Sequence, residues 1–481
     1  MEKPRPNIIF VMLDTARADY FKTYGGGTPL PNMDRLCDAG TVYGNAISPA
    51  TYTAPSHVSL FTGEGVKNRK QLMEDKLKNY DKNIDPMLVK SKLIAHGEMT
   101  LARKLSYLGY DTSMFSSNPL VTEYNGLAEG FAHSYYTSNV VLSSRQKMKK
   151  GRIGRPLWMI GNDMLRNGLI EIAYGITRMM PRNTLDKTYL DMRNRLNRSY
   201  AEESGFYDLD LGARETGGLV EKNVKKGNSP NFVFINYMEA HEGYPTNLIT
   251  KEYVEQDKWL YLSGIAEHEN TMPILKKACM KRMRYLDWHI GRLVRTLRDK
   301  GMLDDAVMVL AGDHGQGFME HGELYHGAAP YREIVNVPLV FTRFENGKPV
   351  QDKRRIERHV SLTEAHRALE AIAYGETYEK ALGSMLGGKP VVAEHTGITE
   401  VWDTHLLKLI RGRCSHADRI YRAKMKHNTF ATAIYKDGYK LVHFAGKGSG
   451  DLLFHVADDP GEEENVIEKE RKTALRLLGS I

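Results

Sequence analysis

Three predominantly apolar runs in this chain each stop at acidic or imidazole side chains: NIIFVML (7–13) at Asp14, NFVFINYM (231–238) just before Glu239 and His241, and AVMVLAG (306–312) at Asp313. A run without polar alternation is the pattern of a strand covered on both faces. Between the second and third runs, Met283, Leu286, Ile290, Leu293 and Leu297 recur at helical spacing up to Gly301, which predicts one long helix over about 273–300. Strand, long helix, strand is the build of an open, mostly parallel α/β sheet, in which ligands bind beyond the carboxyl ends of the strands. That places Asp14, His241 and Asp313 on one rim.

Further along, VPLVFT (337–342) reads as another strand and 361–375 as a helix, after which the texture changes. RIYRAKMK, TFATAIYKDGYKLVHFAG and DLLFHVADD show shorter, partly alternating patterns with glycine turns, which predict a small antiparallel sheet closed by a terminal helix near 466–478. The expected fold class is α/β, with a large mostly parallel central sheet flanked by helices in residues 1–380 and a smaller α+β subdomain in residues 381–481. A chain of 481 residues, 41% hydrophobic and 26% charged, has the size and composition for that.

Composition excludes several classes. Cys37, Cys279 and Cys414 are odd in number and far apart, giving neither a disulfide framework nor a metal-binding spacing. The opening MEKPRPNIIFVMLD meets an acid before a signal-peptide core could form, so a cytoplasmic location is expected. The segment LWMIGNDMLRNGLIEIAYGITRMM (157–180) is broken by Asp163, Arg166, Glu171 and Arg178 and does not read as a membrane span. With the basic run SSRQKMKKGRIGR upstream, it leaves a peripheral membrane contact through 145–180 as a reading beside a solvated loop. The formal charge of +8 favours anionic partners, a small-molecule or lipid head-group substrate, and no nucleic-acid motif accompanies it.

The densest chemistry is GDHGQGFMEHGELYHG (312–327), which brings Asp313, His314, Glu320, His321 and His326 together among five glycines directly after a buried strand. Carboxylate oxygen beside neutral imidazole nitrogen suits Mn²⁺ or Zn²⁺, and glycine lets the backbone turn sharply around them; ordinary turn formation is the plainer account. Asp14 is the natural second carboxylate. Upstream, TAPSH (53–57) precedes the apolar VSLF and so enters a helix, whose free N–H groups stabilise an anion. Thr53 or Ser56 could serve as a plain N-cap. A hydroxyl becomes a competent nucleophile only beside a base or a metal.

In order along the chain, PNIIFVMLDTARAD, TPLPNMDRLCDAGTVYGNAISPATYTAPSHVSLFTG, FVFINYMEAHEGY, MRYLDWHIGRLVRTLRDKGMLDDAVMVLAGDHG, EHGELYHGAAPYREIVNVPLVF and YKDGYKLVHF…LFHVADDPGEEENV resemble the sulfatase branch of the alkaline phosphatase superfamily. The resemblance covers nearly the whole chain. It implies that Asp14, Asp313 and His314 hold one divalent metal ion faced by the hydroxyl of Thr53. It also implies that His241 stands beside the transferred group, that His326 lies near the leaving group or a non-bridging oxygen, and that His321 lines the pocket.

The chain departs from that pattern at the nucleophile. Where sulfatases carry Cys or Ser in C/S-x-P-x-R, which matures to formylglycine, this sequence has Thr53-Ala-Pro-Ser-His57, and threonine is not a substrate for that maturation. Thr15 replaces a second acid often found after the first metal aspartate, and His314 stands where calcium-binding members often have asparagine, so Mn²⁺ or Zn²⁺ is favoured over Ca²⁺. The expected activity is phosphoester hydrolysis, of a diester, monoester or phosphonate, through a phosphothreonine at Thr53, with His57 orienting Thr53, assisting proton transfer or simply packing. Sulfate ester hydrolysis without formylglycine, phospho-group transfer and a non-catalytic binding role are the alternatives.

Overall fold

A computed structural model describes residues 5–66, 93–137, 209–241, 272–327, 329–385, 388–396, 430–445 and 450–481. The segment 145–180, Cys414 and RIYRAKMK lie outside the described residues. Among those described, no helix is long and apolar enough to cross a membrane.

The central sheet is built from β1 (Asn7–Leu13), β2 (Thr41–Ile47), β3 (Asp111–Ser116), β4 (His133–Tyr136), β5 (Asn231–Tyr237) and β6 (Asp305–Gly312). After the short hairpin β7 (Gly317–Phe318) and β8 (Leu324–Tyr325), it is completed by β9 (Asn336–Val337), β10 (Leu339–Glu345), β11 (Lys348–Pro349) and β12 (Arg354–Ser361). The strand order is β12-β2-β10-β6-β1-β5-β3-β4, with β9 on β2 and β11 on β10. The stretch from β6 to β4 is parallel, whereas β10 runs antiparallel to both β6 and β2, so the sheet is mixed. Pro338, which has no N–H to give a ladder, separates β9 from β10 within VPLVFT.

Both faces of β1 are covered, which is why its sequence does not alternate. Ile9, Val11 and Leu13 pack under α1 (Pro31–Ala39), while Ile8, Phe10 and Met12 face α2 (Thr53–Thr62) and α3 (Leu101–Tyr107). The first face is also roofed by α4 (Ala213–Asn223) and α5 (Met272–Asp299), and Met283, Leu286, Ile290, Leu293 and Leu297 of α5 are all buried there. Each such side chain contributes roughly 1.5–3 kcal/mol of burial.

The short α6 (Arg332–Val335) leads into β9, and α7 (Thr363–Ala373) and α8 (Tyr378–Ser384) follow β12; Ser361 still belongs to that strand, so α7 starts later than its sequence pattern suggests. A second, antiparallel sheet comprises β13 (Val391–His395), β14 (Ala431–Lys436), β15 (Tyr439–Phe444) and β16 (Leu452–Phe454). Asp437 and Gly438, both at positive φ, make the two-residue turn between β14 and β15. The terminal helix α9 (Arg471–Leu478) is shorter than expected, because Val466 N–H donates to the Leu453 carbonyl at 2.8 Å and draws the preceding segment onto the sheet edge.

Candidate active site and metal centre

Register decides what meets at the rim. Leu13 lies opposite Tyr237 in β5 and opposite Gly312 in β6, so the residues that follow, Asp14 and Asp313 among them, leave the sheet side by side. Gly312 permits the closeness: a Cβ there would sit 2.5 Å from the Ala16 carbonyl. Thr15 takes a left-handed backbone (φ 64), unusual for a β-branched residue. Its N–H donates to Asp313 Oδ1 and its hydroxyl to Asp14 Oδ1, each at 2.9 Å. The residue standing in place of a second acid thus orients both carboxylates.

One ligand atom from each of Asp14, Asp313 and His314 falls within 4.8 Å of the others, and all three side chains are fully buried. Asp14 Oδ2 accepts from Asn118 Nδ2 at 2.5 Å. Asp313 Oδ1 also takes the His314 N–H at 2.8 Å, while Asp313 Oδ2 is buried without a hydrogen-bond donor among the described residues, the imidazoles of His57 and His314 standing 3.5 Å away. Leaving a buried carboxylate oxygen unpaired is costly, and a cation satisfies it. The Nδ1–H of His314 faces the Gly315 carbonyl at 2.9 Å, which leaves the Nε2 lone pair pointing inward. The donor set therefore fits a divalent ion.

The electrostatics agree. Burial would raise Asp14, but the neighbouring His241, His314 and His57 outweigh it and hold this carboxyl below its ordinary range. Burial and the charge of Asp14 push Asp313 well above its own. Burial, with His326 alongside, depresses His314 to about 3, so it is a neutral ligand at neutral pH.

Thr53 is the first residue of α2; the cap residue is Tyr52, and neither Thr53 nor Ser56 acts as a side-chain cap. Instead Thr53 Oγ1 lies 3.1 Å from His314 Nε2, and Ser56 Oγ donates to the Asp313 carbonyl at 2.6 Å, as does Ser48 Oγ. His57 is fully buried, its Nδ1 against the Thr53 carbonyl at 2.9 Å and its Nε2 against Asn236 Nδ2 at 3.2 Å. Burial lowers its pKa, and its ring packs edge-on to Phe61 and Phe234. Both nitrogens are used below the threonine rather than on its hydroxyl.

His241 follows the turn at the end of β5, and its ring centroid is 5.0 Å from that of His326, which in turn is 4.6 Å from His314. The three rings line one side of the cluster. His321 is elsewhere, at the tip of the β7–β8 hairpin, with Nδ1 2.9 Å from Glu333 Oε1; it borders a separate cavity of about 330 Å³ that Arg17, Asp19, Glu320 and Arg332 also line. Asn118 and Asn236 carry no motif in the sequence. Asn236 was visible only as the polar residue inside NFVFINYM, and Asn118 reaches Asp14 from the end of a different strand.

An α/β sheet with two carboxylates, an imidazole and a threonine hydroxyl gathered at its carboxyl rim defines a metal-dependent hydrolase of ester linkages. The Sulfatase family model matches residues 6–366, and the chain belongs to that family, within its alkaline phosphatase superfamily and with an altered nucleophile region. An N-acetylglucosamine-6-O-sulfatase of Bacteroides thetaiotaomicron is 23% identical over 528 residues, covering 99% of this chain and 86% of the relative. An arylsulfatase of Clostridium perfringens is 21% identical over 375 residues, covering 73% and 70%. Among solved structures, the phosphonate monoester hydrolase of Agrobacterium radiobacter shares the fold at a TM-score of 0.56 and 17% identity, over 99% of this chain and 94% of that one. A 2-O GAG sulfatase does so at 0.60 and 15%, over 99% and 91%.

Proposed function

We propose that this protein hydrolyses phosphoesters with Thr53 as its nucleophile. The observation that carries the reading is the placement of Thr53 Oγ1, 3.1 Å from His314 Nε2 and at the start of α2, in a chain that has threonine where formylglycine would form. Asp14, Asp313 and His314 would hold the divalent ion, Mn²⁺ or Zn²⁺ in preference to Ca²⁺ because His314 offers nitrogen. When bound, that ion lowers the pKa of a hydroxyl and neutralises charge on phosphoryl oxygens.

Thr53 Oγ attacks phosphorus in line: the Oγ–P bond forms as the bond to the leaving oxygen breaks, and the hydroxyl proton ends on the departing oxygen, which leaves as an alcohol. His241 and His326 donate to the phosphoryl oxygens or to the departing oxygen, where charge develops. Water then cleaves the phosphothreonine and restores the hydroxyl. His57 holds the Thr53 carbonyl and acts as a positioning residue. The substrate class is an anionic ester, a small molecule or a lipid head group.

A second reading, sulfate ester hydrolysis without formylglycine, is favoured by the sulfatase names of the relatives. Metal-stripped wild type and Thr53→Ala are to be assayed against aryl phosphate monoester, phosphodiester, phosphonate ester and sulfate ester, with Mn²⁺, Zn²⁺ or Ca²⁺ restored. Phosphoester turnover that needs both metal and Thr53 supports the proposal. Sulfate cleavage alone, or equal turnover by Thr53→Ala, overturns it; capture of the group by an added alcohol would identify a transferase.

A further inference from the structure

The loop that follows β6 supplies Asp313 and His314, folds into the β7–β8 hairpin and ends at His326. Its backbone is not relaxed: Met319 (φ 71) and Tyr325 (φ 66) both occupy the left-handed region. Such residues persist only where their surroundings over-determine them: Phe318, Met319 and Tyr325 pack against the core beneath α5, and the hairpin tip reaches the C-terminal region through His321.

At the tip, His321 is held at both ring nitrogens and on one ring face. Its Nδ1 lies 2.9 and 3.1 Å from the two oxygens of Glu333, its Nε2 lies 3.2 Å from the Glu462 carbonyl, and its ring stacks on Tyr331 with centroids 4.2 Å apart. Both nitrogens face acceptors, an arrangement that the doubly protonated ring satisfies. Burial opposes that charge, but Glu333 outweighs it and raises the ring above its ordinary pKa.

Glu462 is itself fixed. Lys440 Nζ, in β15, lies 2.7 Å from each of its carboxylate oxygens; Lys440 is fully buried and Glu462 is 3% exposed. Arg332 N–H donates to the same carboxylate at 3.1 Å. A buried pair of this kind is weak evidence of net stability, yet removing one partner is costly, so it holds its geometry firmly.

The same sheet grips the nucleophile segment. Ala50 bridges to Glu394, Thr51 Oγ1 lies 2.9 Å from His395 Nδ1, and Tyr52 OH lies 2.5 Å from Thr396 Oγ1. Between the two grips, Gly327 N–H donates to the Thr51 carbonyl at 2.9 Å. Thr53 and His326 are therefore tied to each other one or two residues away, and each is tied to the second sheet.

We propose that the C-terminal sheet is a two-point brace of the active site, in which His321, held by Glu333 and the Lys440–Glu462 pair, and Thr51, held by His395, are positioning residues for His326 and Thr53. His321 then has no place on the substrate. The inference rests on the hydrolase reading for its kinetic consequence and on geometry alone for its structural one.

His321→Gln, His321→Arg and Thr51→Val are to be compared with wild type by steady-state kinetics on an aryl phosphate and by amide hydrogen exchange across 315–327 and 48–56. The brace predicts that His321→Gln lowers kcat by about tenfold or more with little change in KM, as misplacement of a reacting group does. It also predicts faster exchange in 315–327. His321→Arg, with several donors and the neighbouring cavity to accommodate it, restores both, and Thr51→Val speeds exchange in 48–56. An increase in KM alone would return His321 to the substrate pocket, and unchanged exchange in both segments would remove the brace. Exchange needs no turnover, so it decides the matter even if the phosphoester reading fails.

Discussion

Thr53 Oγ1 and His314 Nε2 are 3.1 Å apart across 261 residues of sequence. With His314 Nδ1 turned to the Gly315 carbonyl, the hydroxyl is the donor of this pair and the imidazole the acceptor. The hydroxyl and the nitrogen that would bind the ion therefore face one another in the folded protein.

Thr53→Ala should lower metal-dependent turnover by about a thousandfold or more, while Thr53→Ser, which keeps the hydroxyl, should retain a measurable fraction. Single-turnover assays followed by acid quench would trap the phosphorylated residue in wild type and in Thr53→Ser. Label recovered on the Thr53→Ala protein would place the nucleophile elsewhere.

Asn118 holds Asp14 Oδ2 with its amide and accepts Leu120 N–H on its own oxygen at 2.7 Å. Replacing it by Leu removes the donor that orients a ligand carboxylate. Metal affinity should fall by roughly 10–100-fold, as losses of such supporting bonds do, and the thermal midpoint of the metal-free protein should fall too, because Asp14 Oδ2 and Leu120 N–H both lose their partner. Titration calorimetry on both proteins measures this directly.

Burial and the charge of Asp14 raise the Asp313 carboxyl well above its ordinary range, so a proton competes with a divalent ion for this carboxylate. Affinity should therefore weaken as pH falls, by up to about tenfold per unit, with release of about one proton seen in buffers of different ionisation heat. Affinity flat across that range would mean that Asp313 is already ionised.

Glu239 is fully buried, accepts Leu211 N–H and Ala213 N–H on Oε1, and has no hydrogen-bond partner on Oε2 among the described residues. Burial raises its pKa to about 7, from 4.5. The folded state thus binds a proton that the unfolded chain has lost, and its contribution to stability disappears as pH rises from the ordinary value through about 7. Glu239→Gln should be more stable than wild type above neutrality, by on the order of 3 kcal/mol at most, and the two should converge in acid. Urea unfolding at the two ends of that pH range compares them.

Much of this architecture was readable along the chain, since unbroken apolar runs reflect burial on two faces and the Asp and His residues closing them mark the rim. Strand direction was not readable: the pattern of β10 is the same whether it runs with or against its neighbours, and only the path taken after the β7–β8 hairpin turns it. Asp14 and Asp313 stood out because each directly follows a strand, and His314 because it adjoins Asp313. Asn118 did not, for the contact that matters at the site is with a residue 104 positions away. His321 illustrates the opposite case, a histidine conspicuous in a motif whose ring is taken up by Tyr331, Glu333 and the distant Glu462.

All ten residues of α2 are buried. A helix with no solvent face offers no position at which substitutions can accumulate without disturbing packing around Thr53. Changes of substrate in a chain like this have to be written in the rim loops and their histidines, and anyone redesigning it should leave TAPSHVSLFT untouched and vary what faces it.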